Sequence, residues 1–372
     1  MKNWKHCLFY GKMSRMEGDM DTQSFTRSVI DWYDSGHRAL PWRETRDPYR
    51  IWISEIMLQQ TRAETVVSYY ERFLARYPTA EALASADEQE LLKIWEGLGY
   101  YSRARSLHRA AGEIVEKYGG ELPADVERLR ALPGIGDYTA GAIASIAFGI
   151  PAAAVDGNVE RVLCRYDAVQ EETGTPAVRR RIAARAQELV SADRPGAFAN
   201  AMMELGATVC TPRNQACLLC PVRESCRGLA LGIAAELPRK AKKKPQRVEN
   251  RAMLLVFSEG RVLVVQRKEK LLGGLYVFPD VRLGDASADP ATLCARMDAL
   301  GLETAYDGAL GHARHVFTHI IWEMEIFALE ARRCVPVEGG IWVTAQELEA
   351  LPLPTAVKAA REFAMERLGR RA

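Results

Sequence analysis

Residues 126–148 read VERLRALPGIGDYTAGAIASIAF, and they organise everything around them. Val126 to Ala131 and Tyr138 to Phe148 carry helical patterns, and between them Leu132-Pro133-Gly134-Ile135-Gly136 is a tight glycine-rich turn. Glycine lets a backbone approach a partner closely, and the free N–H groups opening the second helix suit a phosphate oxygen. Thr139, Gly141 and Ala142 continue a face of small residues. A turn between packed helices would explain a lone P-G-x-G. The small-residue face favours contact with a nucleic-acid backbone through Leu132, Gly134 and Gly136.

On both sides of this hairpin the pattern stays helical, from about Ser24 to Gly228, with breaks at prolines and glycines such as Pro41, Pro78, Pro151 and Pro195. Phe25, Val29 and Trp32 share one helical face, as do Tyr69, Phe73 and Tyr77. The period changes after a basic run, Pro238 to Arg251, which has seven Lys or Arg against the single acid Glu249. Strands are expected at Met253–Phe257, Val262–Val265, Gly274–Phe278, Ile320–Leu329 and Ile341–Val343, with helices at Pro290–Leu300 and Thr355–Leu368. The expected organisation is an N-terminal extension (1–23), an all-α domain (24–228), a basic linker (229–250) and an α+β domain (251–372).

Composition narrows the class. The chain has 372 residues, enough for two domains. Its 50 Lys and Arg against 48 Asp and Glu leave a net charge of +2, so a nucleic-acid partner has to be argued from local patches. The longest apolar stretch, Ala142 to Val155, is interrupted by Gly149 and Pro151 and is too short for a bilayer of roughly 30 Å. No apolar run follows Lys2 and Lys5, which argues against a secretory signal, so a reducing cytoplasm is expected.

Four of the eight cysteines, Cys210, Cys217, Cys220 and Cys226, fall in the spacing C-x6-C-x2-C-x5-C, which predicts one metal or cluster site. Structural zinc usually takes two close ligand pairs, and here a single pair is flanked by lone cysteines, which favours a 4Fe-4S cube. Cys7, Cys164, Cys294 and Cys334 are scattered.

Two carboxylates have contrasting surroundings. Glu55 lies on an apolar stripe with Ile51, Trp52 and Leu58, where desolvation should keep it protonated near neutral pH. Asp156 precedes a helix and reads as its N-cap; capping alone would explain it, and capping also stabilises the anion. One protonated and one ionised carboxyl form the set needed to cleave a glycosidic bond.

Six separated motifs now stand in order: Leu40-Pro41-Trp42-Arg43, Ser54 to Thr61, Gly97 to Tyr101, Leu132 to Gly141, Val155 to Val159 and the four cysteines. In this combination the chain resembles the MutY adenine DNA glycosylases, of the helix-hairpin-helix superfamily that includes endonuclease III. The resemblance implies a partner, double-stranded DNA with adenine opposite 8-oxoguanine or guanine, and a monomeric enzyme. It implies that Glu55 protonates the adenine, that Asp156 stabilises the sugar cation, and that Asn158 and Arg43 line the pocket. Gln60 and Tyr100 match residues that wedge into the duplex. Tyr138 stands where bifunctional relatives carry a Schiff-base lysine, which implies a monofunctional enzyme. The C-terminal domain resembles the family's Nudix-like domain through Gly273 to Pro279, without the acidic magnesium-binding helix. Its lesion-reading Phe-Ser-His loop is here Phe317-Thr318-His319. His312, His315 and His319 offer a metal site as the alternative, without acids or cysteines at ligand spacing.

Overall fold

The structure is a computed structural model that describes residues 22–241, 245–284 and 288–370. The expected N-terminal extension, with Cys7, therefore lies almost wholly outside the described residues, as do Lys242, Lys243 and Lys244 of the basic run. The chain divides into two compact units: residues 1–85 with 106–242, and residues 86–105 with 243–372.

The helices in chain order are α1 (22–35), α2 (Pro48–Leu58), α3 (Ala63–Arg76), α4 (Ala80–Ala84), α5 (Glu88–Ile94), α6 (Ser102–Tyr118), α7 (Val126–Arg130), α8 (Asp137–Ile146), α9 (Gly157–Tyr166), α10 (Pro176–Leu189), α11 (Pro195–Thr208) and the short α12 (Arg227–Ala230). The first unit is helical, as its pattern predicts. Side chains written into its sequence start several of these helices: Asp47 accepts from the N–H groups of Tyr49 and Arg50, and Thr175 accepts from Val178, each satisfying donors that a helix start leaves unpaired. One core of this unit joins Phe25, Val29 and Tyr33 of α1 to Val162, Leu163, Ile182, Phe198, Met202 and Leu205 on α9, α10 and α11.

Between α7 and α8 the chain makes the expected hairpin. Gly134 has φ of 79°, and a Cβ there would lie 2.6 Å from Ser106 Cβ, so both backbone conformation and space require glycine. Gly134 and Gly136 are exposed, whereas the side chain of Leu132 is buried. Leu132 can therefore meet a partner only through its backbone.

The second unit is built on a seven-stranded sheet: β1 (Arg247–Ser258), β2 (Arg261–Gln266), β3 (Tyr276–Val277), β4 (Asp280–Arg282), β5 (Thr304–Val316), β6 (Ile320–Ala331) and β7 (Gly340–Val343). The order is β3-β2-β1-β6-β5, with β4 beside β1 and β7 beside β2. Strands β1 and β6 are parallel, with Met253 opposite Ile326. Helices α13 (Pro290–Asp298), α14 (Ala345–Ala350) and α15 (Lys358–Arg370) complete the unit. Met253, Leu255 and Phe257 pack into a core with Ala360, Ala364 and Leu368 of α15; Ala252, Leu254 and Val256 pack into another with Leu293 and Met297 of α13. Burial on both faces explains the unbroken apolar run in β1.

Several expectations change. The basic linker does not extend to residue 250, because β1 begins at Arg247 and pairs with β6 from there. Its charges are partly internal: Glu249 and Arg251 are buried, their side chains pair at 2.9 Å, and the Arg251 guanidinium lies 4.2 Å from the Trp322 ring centroid. Paired, stacked charges can be buried where solitary ones cannot. Strand β5 was not expected, since Gly308 and Gly311 interrupt its alternation; register shifts fall beside both. Residues 86–105 are helical as expected, in α5 and the start of α6, and pack with the second unit. Lys93 Nζ donates to the carbonyls of Glu349 and Leu351 at 2.7 and 3.0 Å, and Arg361 pairs with Glu96 at 3.2 Å.

Candidate active site

Four helices bring the candidate residues of the first unit together. Glu55 is on the buried side of α2, between Ser54 and Ile56, with only 3% of its surface exposed. Tyr138, in the first turn of α8, donates a short hydrogen bond to Glu55 Oε2, and its hydroxyl also lies 3.2 Å from Met203 Sδ on α11. Among the described residues Glu55 Oε1 has no hydrogen-bond partner and is free to meet a substrate. Burial pushes the Glu55 carboxyl from 4.5 up to about 7; the Tyr138 hydrogen bond and the charge of Arg43 oppose this, and the nearby Asp156 reinforces it. Burial, Glu55 and Asp156 together raise the Tyr138 phenol well above its ordinary range, so it stays a hydrogen-bond donor.

Asp156 caps α9. Its Oδ1 accepts from the backbone of Asn158 and Val159 at 2.9 and 2.8 Å, and its Oδ2 accepts from Asn158 Nδ2 at 2.7 Å. The expectation that the cap stabilises the anion holds only in part: the three donors and the Arg161 charge lower the carboxyl, but burial is the largest influence and raises it. Asn158 is held in turn, since Arg161 Nη2 donates to its Oδ1 at 2.8 Å and to the Gly206 carbonyl at 2.6 Å. A Cβ on Gly206 would stand 2.5 Å from Asn158 Cβ, so α11 can approach α9 this closely only through glycine.

Arg43 ends a 3-10 turn, Pro41–Arg43, and its Nη2 donates to Glu204 Oε2 at 2.7 Å. Met203, Glu204 and Gly206, all on α11, were not anticipated. The signal was present: Glu204 is a lone acid between Met203 and Leu205, the same pattern that marked Glu55.

Gln60 and Tyr100, the expected wedge residues, share an unusual backbone. Gln60 follows α2 with φ of 58° and Tyr100 has φ of 48°, a region that costs a non-glycine residue energy. Both side chains are exposed. In the second unit, Trp95 Nε1 and Arg103 Nη2 each donate to the Gly99 carbonyl at 3.1 Å, holding the loop that presents Tyr100. Phe317, Thr318 and His319 form the tip of the β5–β6 hairpin. Phe317 packs 4.9 Å from the Trp322 ring, while Thr318 and His319 are exposed; Thr318 Oγ1 lies 3.1 Å from the Tyr100 hydroxyl.

The four cysteines follow α11, and Cys210, Cys220 and Cys226 pack against the first unit's core. Arg165 Nη1 donates to Cys210 Sγ at 3.2 Å, a contact suited to a thiolate. Burial, with the neighbouring Cys210, Cys226 and Cys217, pushes the Cys220 thiol up to about 11; burial likewise raises Cys226, close to Cys210 and Cys217. Among the described residues no three His, Cys, Asp or Glu side chains converge tightly enough for a single ion, which leaves the histidine alternative without support. Tetrahedral zinc would need sulfurs about 3.8 Å apart, from a bond of about 2.3 Å, whereas a cube with iron at its corners holds its thiolates farther apart. Among the described residues no helix is long and apolar enough to cross a membrane.

Comparison with known proteins bears on this arrangement. A model of the HhH-GPD superfamily of base excision DNA repair proteins matches residues 53–188, and a NUDIX domain model matches residues 251–362. The chain is 36% identical over 405 residues to the adenine DNA glycosylase of Homo sapiens, across 91% of this chain and 73% of that protein. It is 28% identical over 346 residues to the adenine DNA glycosylase of Buchnera aphidicola subsp. Baizongia pistaciae, across 91% of this chain and 96% of that one. Among solved structures, a thermostable thymine-DNA glycosylase superposes with a TM-score of 0.53 at 29% identity, covering 57% of this chain and 99% of its own.

Proposed function

This chain belongs to the adenine DNA glycosylases, with an HhH-GPD helical part and a Nudix-like part, and from that premise we propose how it acts. It is a DNA glycosylase of base excision repair that releases adenine. We propose that its substrate is adenine opposite 8-oxoguanine or guanine in double-stranded DNA, that it works as a monomer, and that it breaks the glycosidic bond without cutting the strand.

The observation that carries this reading is the buried set Glu55, Tyr138 and Asp156. A glycosidic bond inside a duplex is out of reach, so the adenine must leave the stack. Gln60 and Tyr100, exposed and on strained backbone, would enter the space beside it and offset an unstacking cost of a few kcal/mol. Near pH 7 a large share of Glu55 side chains carry a proton. Tyr138 occupies Oε2, so Oε1 is the atom that gives its hydrogen to a purine nitrogen. Electrons of the breaking bond then move into the base, and positive charge develops on the sugar. Asp156, oriented by Asn158 and by the α9 backbone, stabilises that charge as an anion, and water completes the hydrolysis. A phenol has no amine with which to form an imine, so Tyr138 supports release without strand cleavage.

Cys210, Cys217, Cys220 and Cys226 would hold a 4Fe-4S cluster, as their spacing, the influence of the other three on Cys220 and the Arg165 donor suit. Bound there, it supplies four metal–thiolate links that tie down the loop after α11. Backbone N–H groups at Gly134 and Gly136 would meet a phosphate. In the second unit, Thr318 offers a hydroxyl donor and acceptor to the base opposite, with Phe317 and His319 beside it.

The test is a duplex with adenine opposite 8-oxoguanine, incubated with the protein and then with or without alkali. Breaks that appear only after alkali support the reading; breaks without alkali would establish a lyase, and no breaks at all would leave a damage-binding protein. In Glu55→Gln, single-turnover release should vanish while duplex binding persists. An unchanged rate removes Glu55 from the chemistry.

A further inference from the structure

A second group of charges is linked to Glu55 through Arg43. Glu204 lies within α11 and is 2% exposed. Its Oε1 accepts from the Arg38 backbone N–H at 3.1 Å and from Arg38 Nε at 3.0 Å. Its Oε2 accepts from Arg38 Nε at 3.1 Å, Arg38 Nη2 at 2.8 Å and Arg43 Nη2 at 2.7 Å. Arg43 Nη1 also donates to the Arg38 carbonyl at 3.0 Å, so both guanidiniums close around one carboxylate. Burial acts to raise Glu204, and the hydrogen bonds from Arg38 and Arg43 overcome it and bring the carboxyl down to about 2. It is an anion at any pH where the enzyme would work.

We propose that Glu204 is a positioning residue of the active site: it fixes the Arg43 guanidinium and cancels one of two adjacent positive charges, so that Glu55 retains the hydrogen it donates. The inference rests on the reading of Glu55 as the general acid. The groups that face Glu55 are Tyr138 from α8, Asp156 from the α9 cap and Arg43 from the turn before α2. Arg43 is the one that favours its anion by charge. Around Glu204 stand Arg38, Arg43 and Tyr33 of α1, and Arg38 also reaches Glu64 of α3 at 3.3 Å. Two guanidiniums are met here by the buried Glu204 and by the exposed Glu64. Without Glu204 the group gains one positive charge.

The experiment is single-turnover adenine release from about pH 5 to about pH 9, in which the basic limb reports the acid. The wild-type limb is expected at about 7. Glu204→Gln keeps the shape and removes the charge; its limb should move down by about one unit, a roughly tenfold loss above the limb with far less below it. Arg38→Gln changes the balance in the opposite sense and should move the limb up. The double variant Glu204→Gln with Arg38→Gln removes one charge of each sign, restores the wild-type balance and should return the limb to its wild-type position. A merely structural role would slow Glu204→Gln by the same factor at every pH, and that result overturns the proposal. If Glu204→Gln does not fold, Arg38→Gln decides, because its side chain is 35% exposed; a limb that stays in place or moves down is then the overturning result. Failure of the acid reading is separate and visible, as Glu55→Gln would then still release adenine.

Discussion

Replacing Glu55 by glutamine should alter stability as well as rate, with a sign set by the burial of the side chain. The folded carboxyl titrates at about 7 against an ordinary 4.5, because burial disfavours its charged form. A group raised in this way contributes its full stability below the unfolded value of 4.5 and loses it as pH rises through the folded value of about 7. The gap is about 2.5 units, and at about 1.4 kcal/mol per unit the loss is about 3 kcal/mol between about pH 4 and about pH 8. Glutamine has nearly the same shape, accepts from Tyr138 through its amide oxygen and does not titrate. The variant should therefore match the wild type near pH 4 and exceed it by about 3 kcal/mol near pH 8. Urea unfolding of both proteins across that range, followed by tryptophan fluorescence and read on the transition of the helical unit, measures this difference. A gap between the two midpoints that does not change with pH would refute the argument, because it would mean that Glu55 is not desolvated in the folded chain.

Other consequences are more local. Tyr138→Phe removes a hydrogen bond that favours the Glu55 anion, so the basic limb of the pH–rate profile should rise above about 7; a fall would contradict the assigned donor. Thr318→Ala should weaken the preference for 8-oxoguanine over guanine opposite the adenine, and an unchanged ratio of rates would remove that loop from recognition. Gly206→Ala places a Cβ 2.5 Å from Asn158 Cβ, with backbone atoms at 3.0 Å. It should destabilise the fold by about 1–3 kcal/mol and slow base release, and a wild-type melting temperature would show that α9 and α11 can part there at no cost.

What could be read without coordinates depended on how local each signal was. The hairpin at Leu132–Gly136, the cap at Asp156 and the stripe that buries Glu55 are each written within a few consecutive residues, and the structure has an element at each. Glu204 was missed although α11 sets it among Met202, Met203 and Leu205, because nothing nearby in the chain names Arg38 and Arg43 as its partners, more than 150 residues away. Strand β5 was missed because its glycines break the alternation by which strands are recognised, while the antiparallel hydrogen bonds to β6 hold it regardless. Glu249 and Arg251 fall within the basic run and yet are buried, and the pairing that permits this comes from Asp280, Arg282 and Trp322 on other strands.

From the order of residues alone came the division into helical and sheet-bearing parts, the two carboxyls, the cysteine spacing and the absence of a lysine at position 138, since periodicity and residue chemistry are properties of neighbouring positions. Tertiary structure alone decided that Tyr138 donates to Glu55, that Asp156 is raised by burial in spite of its cap, that residues 86–105 pack with the sheet, and that one carboxylate on α11 holds two arginines from before α2. Burial and charge balance are set by which segments meet in space, and no local pattern encodes the distance between groups that chain folding brings together.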